Sequence, residues 1–297
     1  MSAKVEVLCF TDPYCSWCWA TEPSLLVLRE RYRDQVHVQF VMGGLVRDFS
    51  EFYDGLNDIG TPAEVIPHWR MVSERSGQPI DERFWADVTD PHFSTWPANI
   101  AAKAAAFQGE KVGDRYLRRL RLAVETERVQ ISQEPEQLRL AREVPGLDFD
   151  AFREELGSPR ATRAFHEDLA LCRAYGVSGF PAMLFRAVGA EGQSKTGSAV
   201  LVPGHRSLET YESVLAKVAP GLKRHKPRPL ETLFVEYGPL TTRELAEITG
   251  KSTSEAERDL RKEQADGRLV ATERRGGTLW STPTNAMVEP ALEAAHW

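Results

Sequence analysis

The chain begins with two short hydrophobic runs that have the composition of β-strands and a longer run between them with helical spacing. The runs Val5–Phe10 and Val36–Met42 predict strands, and the apolar positions from Leu25 to Tyr32 predict a helix. A strand, a helix and a strand joined by short connections form a βαβ unit, so the two strands are expected to pair in parallel. The predicted helix begins at Cys15, so Pro23 lies in its interior and predicts a kink near Trp19 to Pro23.

The pattern changes to helical spacing over residues 46–157, which predicts an α-helical insertion. Helices are expected at Ala98–Phe107, Tyr116–Val124, Pro135–Val144 and Phe149–Leu156. Residues 90–97 are rich in structure breakers and predict a loop, in which His92 is expected to be an exposed histidine without a role. The α/β pattern then resumes over residues 158–222, with helices at Ser158–Tyr175 and from Ser207 to Val218, and strands at Ala182–Phe185 and Val200–Val202.

A proline-rich and basic stretch, residues 223–229, predicts an extended linker after this α/β region. Residues 230–285 then predict three short helices and a hairpin, which is the order of a winged helix-turn-helix, and the tail at 286–297 is uninformative. Residues 223–283 contain 12 Lys/Arg and 10 Asp/Glu, so a clear basic face is missing and a protein-contact or dimerisation wing is the alternative to DNA binding. The candidate nucleic-acid contacts are Arg258, Arg261, Lys262, Arg274 and Arg275.

Composition places the chain among globular proteins without a membrane span. Hydrophobic residues make up 42% and charged residues 27% of the 297 positions, and the formal net charge is -6. That charge argues against a protein that coats nucleic acid through bulk electrostatics. The N-terminus lacks the pattern of a secretory signal, so we expect a cytoplasmic protein whose cysteines are reduced or cycling.

The motif Cys15-Ser16-Trp17-Cys18 lies at the turn between the first predicted strand and the first predicted helix. The free backbone N–H groups at a helix N-terminus stabilise a thiolate, so Cys15 is expected to ionise more readily than a free thiol. Cys18 follows one turn later on the same face and is expected to be the less exposed sulfur. The pair therefore supplies an attacking and a resolving thiol for thiol–disulfide exchange.

A CxxC motif also occurs in zinc sites and in structural bridges. Zinc normally requires a second pair of cysteine or histidine ligands, whereas Cys9 and Cys172 are isolated and are expected to be core residues. The redox interpretation is therefore favoured, with no metal site. The sequence Gly176–Pro181 leads into a strand, where a cis peptide bond before Pro181 is plausible.

With these motifs placed, the chain resembles the DsbA-like branch of the thioredoxin superfamily, and more narrowly its cytoplasmic FrnE and YjbH (SpxH)-like group. The likeness covers Val5 to Val218. The residues that carry it are Tyr14-Cys15-Ser16-Trp17-Cys18-Trp19, Glu22-Pro23, Ser94-Thr95-Trp96-Pro97-Ala98, Gln130-Ile131-Ser132 and Gly176-Val177-Ser178-Gly179-Phe180-Pro181. A C-terminal winged-helix-like unit is not a standard part of that family.

The resemblance implies an α/β thioredoxin fold, residues 1–45 and 158–222, interrupted by the helical insertion at 46–157. It implies a cytoplasmic thiol–disulfide oxidoreductase in which Cys15 is the nucleophile, Cys18 the resolving thiol and Pro181 a cis-proline facing them. The Phe180 backbone would dock a substrate peptide, together with the candidate contacts Tyr14, Ser16 and Trp17. The Ser16-Trp17 dipeptide differs from that of DsbA and of thioredoxin, so the direction of exchange stays open.

The expected partners are thiol- or disulfide-containing proteins or glutathione, with no bound cofactor and glutathione as a candidate co-substrate. Two other functions compete with the oxidoreductase. One is a glutathione-dependent isomerase or transferase of the kappa-like branch, which retention of both Cys15 and Cys18 disfavours because such relatives place serine at the first position. The other is a redox-sensing adaptor or regulator that uses the C-terminal winged helix, with Arg274 and Arg275 in its basic wing.

Overall fold

The computed structural model describes residues 4–188 and 194–284, and for residues 194–198 it describes the backbone alone. The predicted tail, residues 286–297, and the last position of the predicted winged-helix unit, residue 285, lie outside the described residues. No helix within the described ranges is long and apolar enough to cross a membrane.

The central sheet contains four strands: β1 (Val5–Thr11), β2 (Val36–Met42), β3 (Ala182–Val188) and β4 (Ser194–Pro203). They lie in the order β2-β1-β3-β4. The first two strands pair in parallel, as predicted, and the other neighbours pair antiparallel. Parallel pairing requires a crossover helix, which α1 (Ser16–Tyr32) supplies as one helix that continues through Pro23. The kink near Pro23 stays a prediction.

Helices cover both faces of this sheet. The helices that follow α1 are α2 (Pro62–Ser76), α3 (Trp96–Ala106), α4 (Glu110–Glu127), α5 (Glu134–Ala141), α6 (Phe149–Leu156), α7 (Pro159–Ala174) and α8 (Leu208–Val218). Because side chains alternate along β1, Val7 and Cys9 pack with α1 and α8, whereas Leu8 and Phe10 pack with Cys172 of α7. Cys9 and Cys172 are core residues, as predicted.

One helix of the insertion, α2, was absent from the sequence-based prediction. Its interior contains Pro67, which argues against a helix, and only Val65, Trp69 and Val72 among its residues are buried. A capping box formed by Thr61 and Glu64 marks its N-terminus. That box is the sequence signal that would have identified α2.

The C-terminal unit contains α9 (Leu230–Tyr237), β5 (Leu240–Thr241), α10 (Thr242–Thr249), α11 (Thr253–Ala265), β6 (Val270–Arg274) and β7 (Gly277–Ser281). The three strands form a sheet in the order β5-β7-β6. The three predicted helices and the hairpin are all present, and β5 is an addition. The order of elements is that expected of a winged-helix-like unit.

This unit packs against α1, which we call the redox helix because it begins at the Cys15-Ser16-Trp17-Cys18 motif. Leu26 and Val27 of α1 share one hydrophobic core with Leu233, Phe234 and Leu245. The segment at 223–229 is extended, as predicted, but it is held to the end of α1. Its backbone N–H groups donate to Gln35 at 2.9 Å and Arg31 at 2.8 Å, and Arg228 pairs with Glu30 at 2.5 Å. The domain boundaries themselves stay predictions.

Candidate active site

Cys15 is the N-cap residue of α1, so its sulfur lies where the first helical N–H groups have no carbonyl partner. The Cys18 backbone N–H donates to the Cys15 Sγ at 3.2 Å. Both residues are free thiols, and Cys15 is 6% exposed against 2% for Cys18. The predicted order of exposure is therefore confirmed, although neither sulfur is freely accessible.

The loop before β3 faces this sulfur. The Phe180–Pro181 peptide bond is cis, as the resemblance implied, and the Phe180 carbonyl oxygen lies 3.5 Å from the Cys15 Sγ. The register of β3 on β1, in which Ala182 pairs with Phe10, brings the two loops together at one edge of the sheet. The Phe180 ring lies against Gly43, where any Cβ would overlap the ring. Glycine at the end of β2 therefore permits this approach.

A groove of about 820 Å³ opens beside Cys15. Its walls are mostly apolar and come from the thioredoxin unit and the insertion, with Trp17, Phe52, Val65, Trp69, Leu169 and Phe180 among the lining residues. Trp17 is half-buried between two histidines. Its ring stacks on His205 at a centroid distance of 5.3 Å and meets the edge of His68 at 6.5 Å.

The other two predicted contacts lie beneath the groove surface. Tyr14 is 1% exposed, and its hydroxyl accepts a hydrogen bond from the Ser132 backbone N–H at 2.8 Å. Ser16 is 3% exposed. Both residues line the groove but are almost fully buried, so a direct contact of either side chain with substrate stays a prediction. His92 lies in an exposed loop, as predicted, and pairs with Asp48 at 3.1 Å.

That Cys15 ionises more readily than a free thiol stays a prediction, because the two thiols are buried together and share one hydrogen bond. Burial raises the pKa of Cys15 well above its ordinary value, and the hydrogen bond and negative charge of Cys18 raise it further. Burial also opposes ionisation of Cys18. The pKa of Cys18 is nevertheless lowered, by a hydrogen bond from the Cys15 side chain, the charge of Arg121, the Thr11 hydroxyl and the Asp12 backbone N–H.

Sequence reasoning missed Arg121, which brings a positive charge behind the redox motif. It belongs to α4, is 1% exposed and pairs with Glu22 of α1. An arginine in the amphipathic pattern of α4 is a weak sequence signal for a residue near the sulfurs. Arg118 and Arg119 stand beside it, and they pair with Glu244 and Glu127. Helical spacing alone could not show which of these arginines approaches the sulfurs.

The candidate nucleic-acid contacts are largely engaged within the protein. Arg275 pairs with Glu82 of the insertion at 2.6 Å, Arg261 with Glu257 at 2.8 Å, and Lys262 with Asp259 at 3.5 Å. Arg258 is exposed on α11, and Arg274 ends β6. The tip of the hairpin therefore rests on the insertion, and a DNA contact through these residues stays a prediction.

A sequence model of a thioredoxin family matches residues 8–213. The chain belongs to this thioredoxin family. The match runs from β1 into α8, so it includes Cys15, Cys18 and the loop with Pro181. The matched range therefore includes most of the central sheet, α1 and the helical insertion.

Three known proteins are similar to this chain. The ClpXP adapter protein SpxH of Halalkalibacterium halodurans is 26% identical over 278 residues, which are 93% of this chain and 88% of that protein. The structure of a Nitrosomonas europaea protein proposed to be a disulfide isomerase has a TM-score of 0.58 and 23% identity, covering 71% of this chain and 96% of that one. The cytosolic disulfide reductase DsbM of Pseudomonas aeruginosa has a TM-score of 0.51 and 22% identity, covering 67% and 89%. The DsbA-like, SpxH-like resemblance is confirmed.

Proposed function

We propose that this protein exchanges disulfides with partner proteins in the cytoplasm through Cys15 and Cys18. The observation that carries the proposal is the position of the Cys15 Sγ, at the N-cap of α1 and 3.5 Å from the Phe180 carbonyl oxygen. An extended peptide that pairs with the backbone before β3 would bring its own sulfur to Cys15. The apolar groove beside that point supplies surface for the flanking residues of the substrate.

The exchange follows from the positions of the two sulfurs at the start of α1. Cys15 loses its proton to solvent and attacks the substrate disulfide, and the first substrate thiolate leaves. Cys18 then loses its own proton to solvent or to the released thiolate and attacks the Cys15 sulfur. The second substrate thiolate leaves, and two electrons have passed from the Cys15–Cys18 pair to the substrate. The reverse sequence oxidises a substrate, and glutathione is the proposed small thiol for re-reduction.

Trapping tests these roles. Cys18→Ala should accumulate a covalent adduct with a disulfide peptide, because the resolving sulfur is absent, whereas Cys15→Ala should form none. Mass spectrometry under non-reducing conditions measures the adduct. Equal trapping by the two variants would refute the assignment. Equilibration of the wild-type protein with a glutathione buffer series then gives the potential that distinguishes an oxidant, an isomerase and a reductant.

A second candidate function is an adaptor that presents a partner protein to a ClpXP protease. It is favoured by the likeness to SpxH, which extends over 93% of this chain, further than the 71% and 67% covered by the two solved structures. Pull-down of the protease by the oxidised and the reduced protein tests this function. Association with neither form would remove the adaptor and leave the redox proposal unaffected.

A further inference from the structure

Residues 52–59, which we call the rim loop, carry two exposed hydrophobic side chains at the edge of the groove. Leu56 is 97% exposed and Tyr53 is 66% exposed. Single apolar residues are ordinary at a protein surface, but these two line the same groove as Cys15. They extend the apolar surface of the groove outward, and a continuous exposed apolar surface of this kind marks a binding site.

Hydrogen bonds fix the shape of the rim loop. The backbones of Asp54 and Ile59 pair in both directions, at 2.8 and 3.2 Å. The Asp54 carboxylate accepts from the Leu56 backbone N–H at 3.0 Å and from the Asn57 side chain at 2.7 Å. The two ends of the loop, Phe52 and Ile59, pack in the hydrophobic core. Leu56 is therefore presented by a preformed loop, which loses little conformational entropy when a partner binds.

The rim loop belongs to an acidic part of the chain. Residues 48–69 contain five Asp or Glu and no Lys or Arg. Asp58 accepts a hydrogen bond from the Tyr53 hydroxyl at 2.7 Å, so a carboxylate lies beside an exposed aromatic ring. The two arginines that line the groove, Arg173 and Arg206, come from the thioredoxin unit instead. Charge complementarity at the rim loop therefore favours a partner with positive side chains and disfavours an anion.

We propose that the rim loop is the docking point for an extended polypeptide segment. Near its reactive cysteine this segment carries an apolar side chain that packs on Leu56 and Tyr53, and a Lys or Arg that faces Asp58. The inference rests on the proposed exchange reaction and names its substrate class, a protein segment rather than free glutathione. Glutathione has two carboxylates and no apolar side chain, so it would react at Cys15 without the rim loop.

Three mixed disulfides with a coloured aromatic thiol test this proposal by stopped flow. The first is formed by a peptide with leucine and lysine on both sides of one cysteine, the second by a peptide with serine and glutamate there, and the third by glutathione. In each reaction the Cys15 sulfur attacks the sulfur of the peptide or of glutathione. The bond to the aromatic sulfur breaks, and the coloured thiolate leaves. The wild-type protein should react fastest with the leucine–lysine peptide.

Two variants separate the apolar contact from the charge. Leu56→Ser should slow the leucine–lysine peptide by about tenfold, because an apolar contact is lost, and leave the rate with glutathione unchanged. Asp58→Asn removes a charge, keeps an acceptor for the Tyr53 hydroxyl and suits the φ of 55° at this position. It should slow the same peptide by about threefold at low ionic strength and by less in high salt, which screens the attraction.

The matched control is Val235→Ser, because Val235 is 67% exposed on α9 and lies outside the groove. It should leave all three rates unchanged. An unaltered rate of Leu56→Ser with the leucine–lysine peptide would overturn the inference. Equal slowing of that variant with glutathione would overturn it as well, since it would indicate altered chemistry at Cys15. A wild-type protein that releases no thiolate from any of the three disulfides would refute the exchange reaction itself, so the two failures are distinguishable.

Discussion

The two sides of the redox helix differ in how they are covered. At the N-terminus of α1, an apolar groove of about 820 Å³ is open beside Cys15. Behind the same helix, the C-terminal unit is held by hydrophobic packing on Leu26 and Val27 and by buried ion pairs such as Arg118–Glu244 at 2.8 Å. The groove has the properties of a surface that binds successive partners. The contact with the C-terminal unit has the properties of a permanent interface.

This difference bears on the winged-helix-like unit. A DNA-binding winged-helix unit that is not packed against the rest of the chain would present its hairpin and its recognition helix to solvent with a basic face. Here the hairpin tip contacts the insertion, since a Cβ at Gly276 would lie 2.9 Å from the Ser73 Oγ, and Arg275 binds Glu82. We therefore expect the unit to stabilise the redox helix, and we expect partner proteins to bind at the groove.

Loss of Glu244 should have the largest effect on stability. Its carboxylate is 0% exposed and accepts from both terminal nitrogens of Arg118, at 2.9 and 2.8 Å. Glu244→Ala leaves that guanidinium buried with Glu22 at 3.5 Å as its remaining carboxylate. The free energy of unfolding should fall by about 3–5 kcal/mol. Urea denaturation measures the change.

The control for this prediction is Arg118→Met with Glu244→Gln, which leaves neither charge buried alone and should cost less than Glu244→Ala. Two separate unfolding transitions in the wild-type protein would contradict the view of a permanent interface. So would a Glu244→Ala variant as stable as the wild type.

Acid should weaken the interface between the C-terminal unit and the insertion, but by less than the loss of Glu244 does. The hydrogen bond from Arg275 lowers the pKa of Glu82 to about 2, from an ordinary value of 4.5. Because the folded pKa is depressed, this stabilisation is complete above the unfolded value and is lost as the pH falls towards 2. Arg275 is 45% exposed, so we expect a contribution of about 1 kcal/mol.

Arg275→Met should make the unfolding free energy less dependent on pH below 4.5. The matched control is Arg153→Met, because Arg153 pairs with the exposed Asp150 inside α6. Unfolding measured across this pH range separates the two variants. An identical acid response of the wild type and Arg275→Met would show that the hairpin tip does not hold the insertion.

The local hydrophobic pattern predicted the helices and strands of the thioredoxin unit and of the C-terminal unit, but not the contacts between the two units. Alternation in Val5–Phe10 and the capping residues Ser158 and Ser207 gave strands and helices close to those observed. The interface could not be predicted, because it depends on contacts between residues far apart in the chain, such as Arg118 and Glu244, whose sequence separation is 126. The groups around Cys18 could not be predicted for the same reason: the helix N-terminus is a local effect visible in the sequence, whereas Arg121, whose charge lowers the pKa of Cys18, is a distant residue.

The smallest change in stability is expected at the groove. Trp17 is half-buried, stacks on His205 and meets the edge of His68, so Trp17→Ala should change the free energy of unfolding by about 1 kcal/mol or less. Its effect should instead be on substrate binding. The rate of the first thiolate release should fall severalfold with a disulfide peptide that reaches along the groove and stay unchanged with a small aromatic disulfide.

Trp17→Phe is the matched variant, because it keeps an aromatic surface beside Cys15 and should retain most of the rate with the peptide. The comparison of the two disulfides distinguishes contact with substrate from altered thiol chemistry, since a change in Cys15 reactivity would slow both. A Trp17→Ala variant that slows both disulfides equally would assign Trp17 to support of the thiol. It would also remove the main aromatic contact that we assign to the open side of the redox helix.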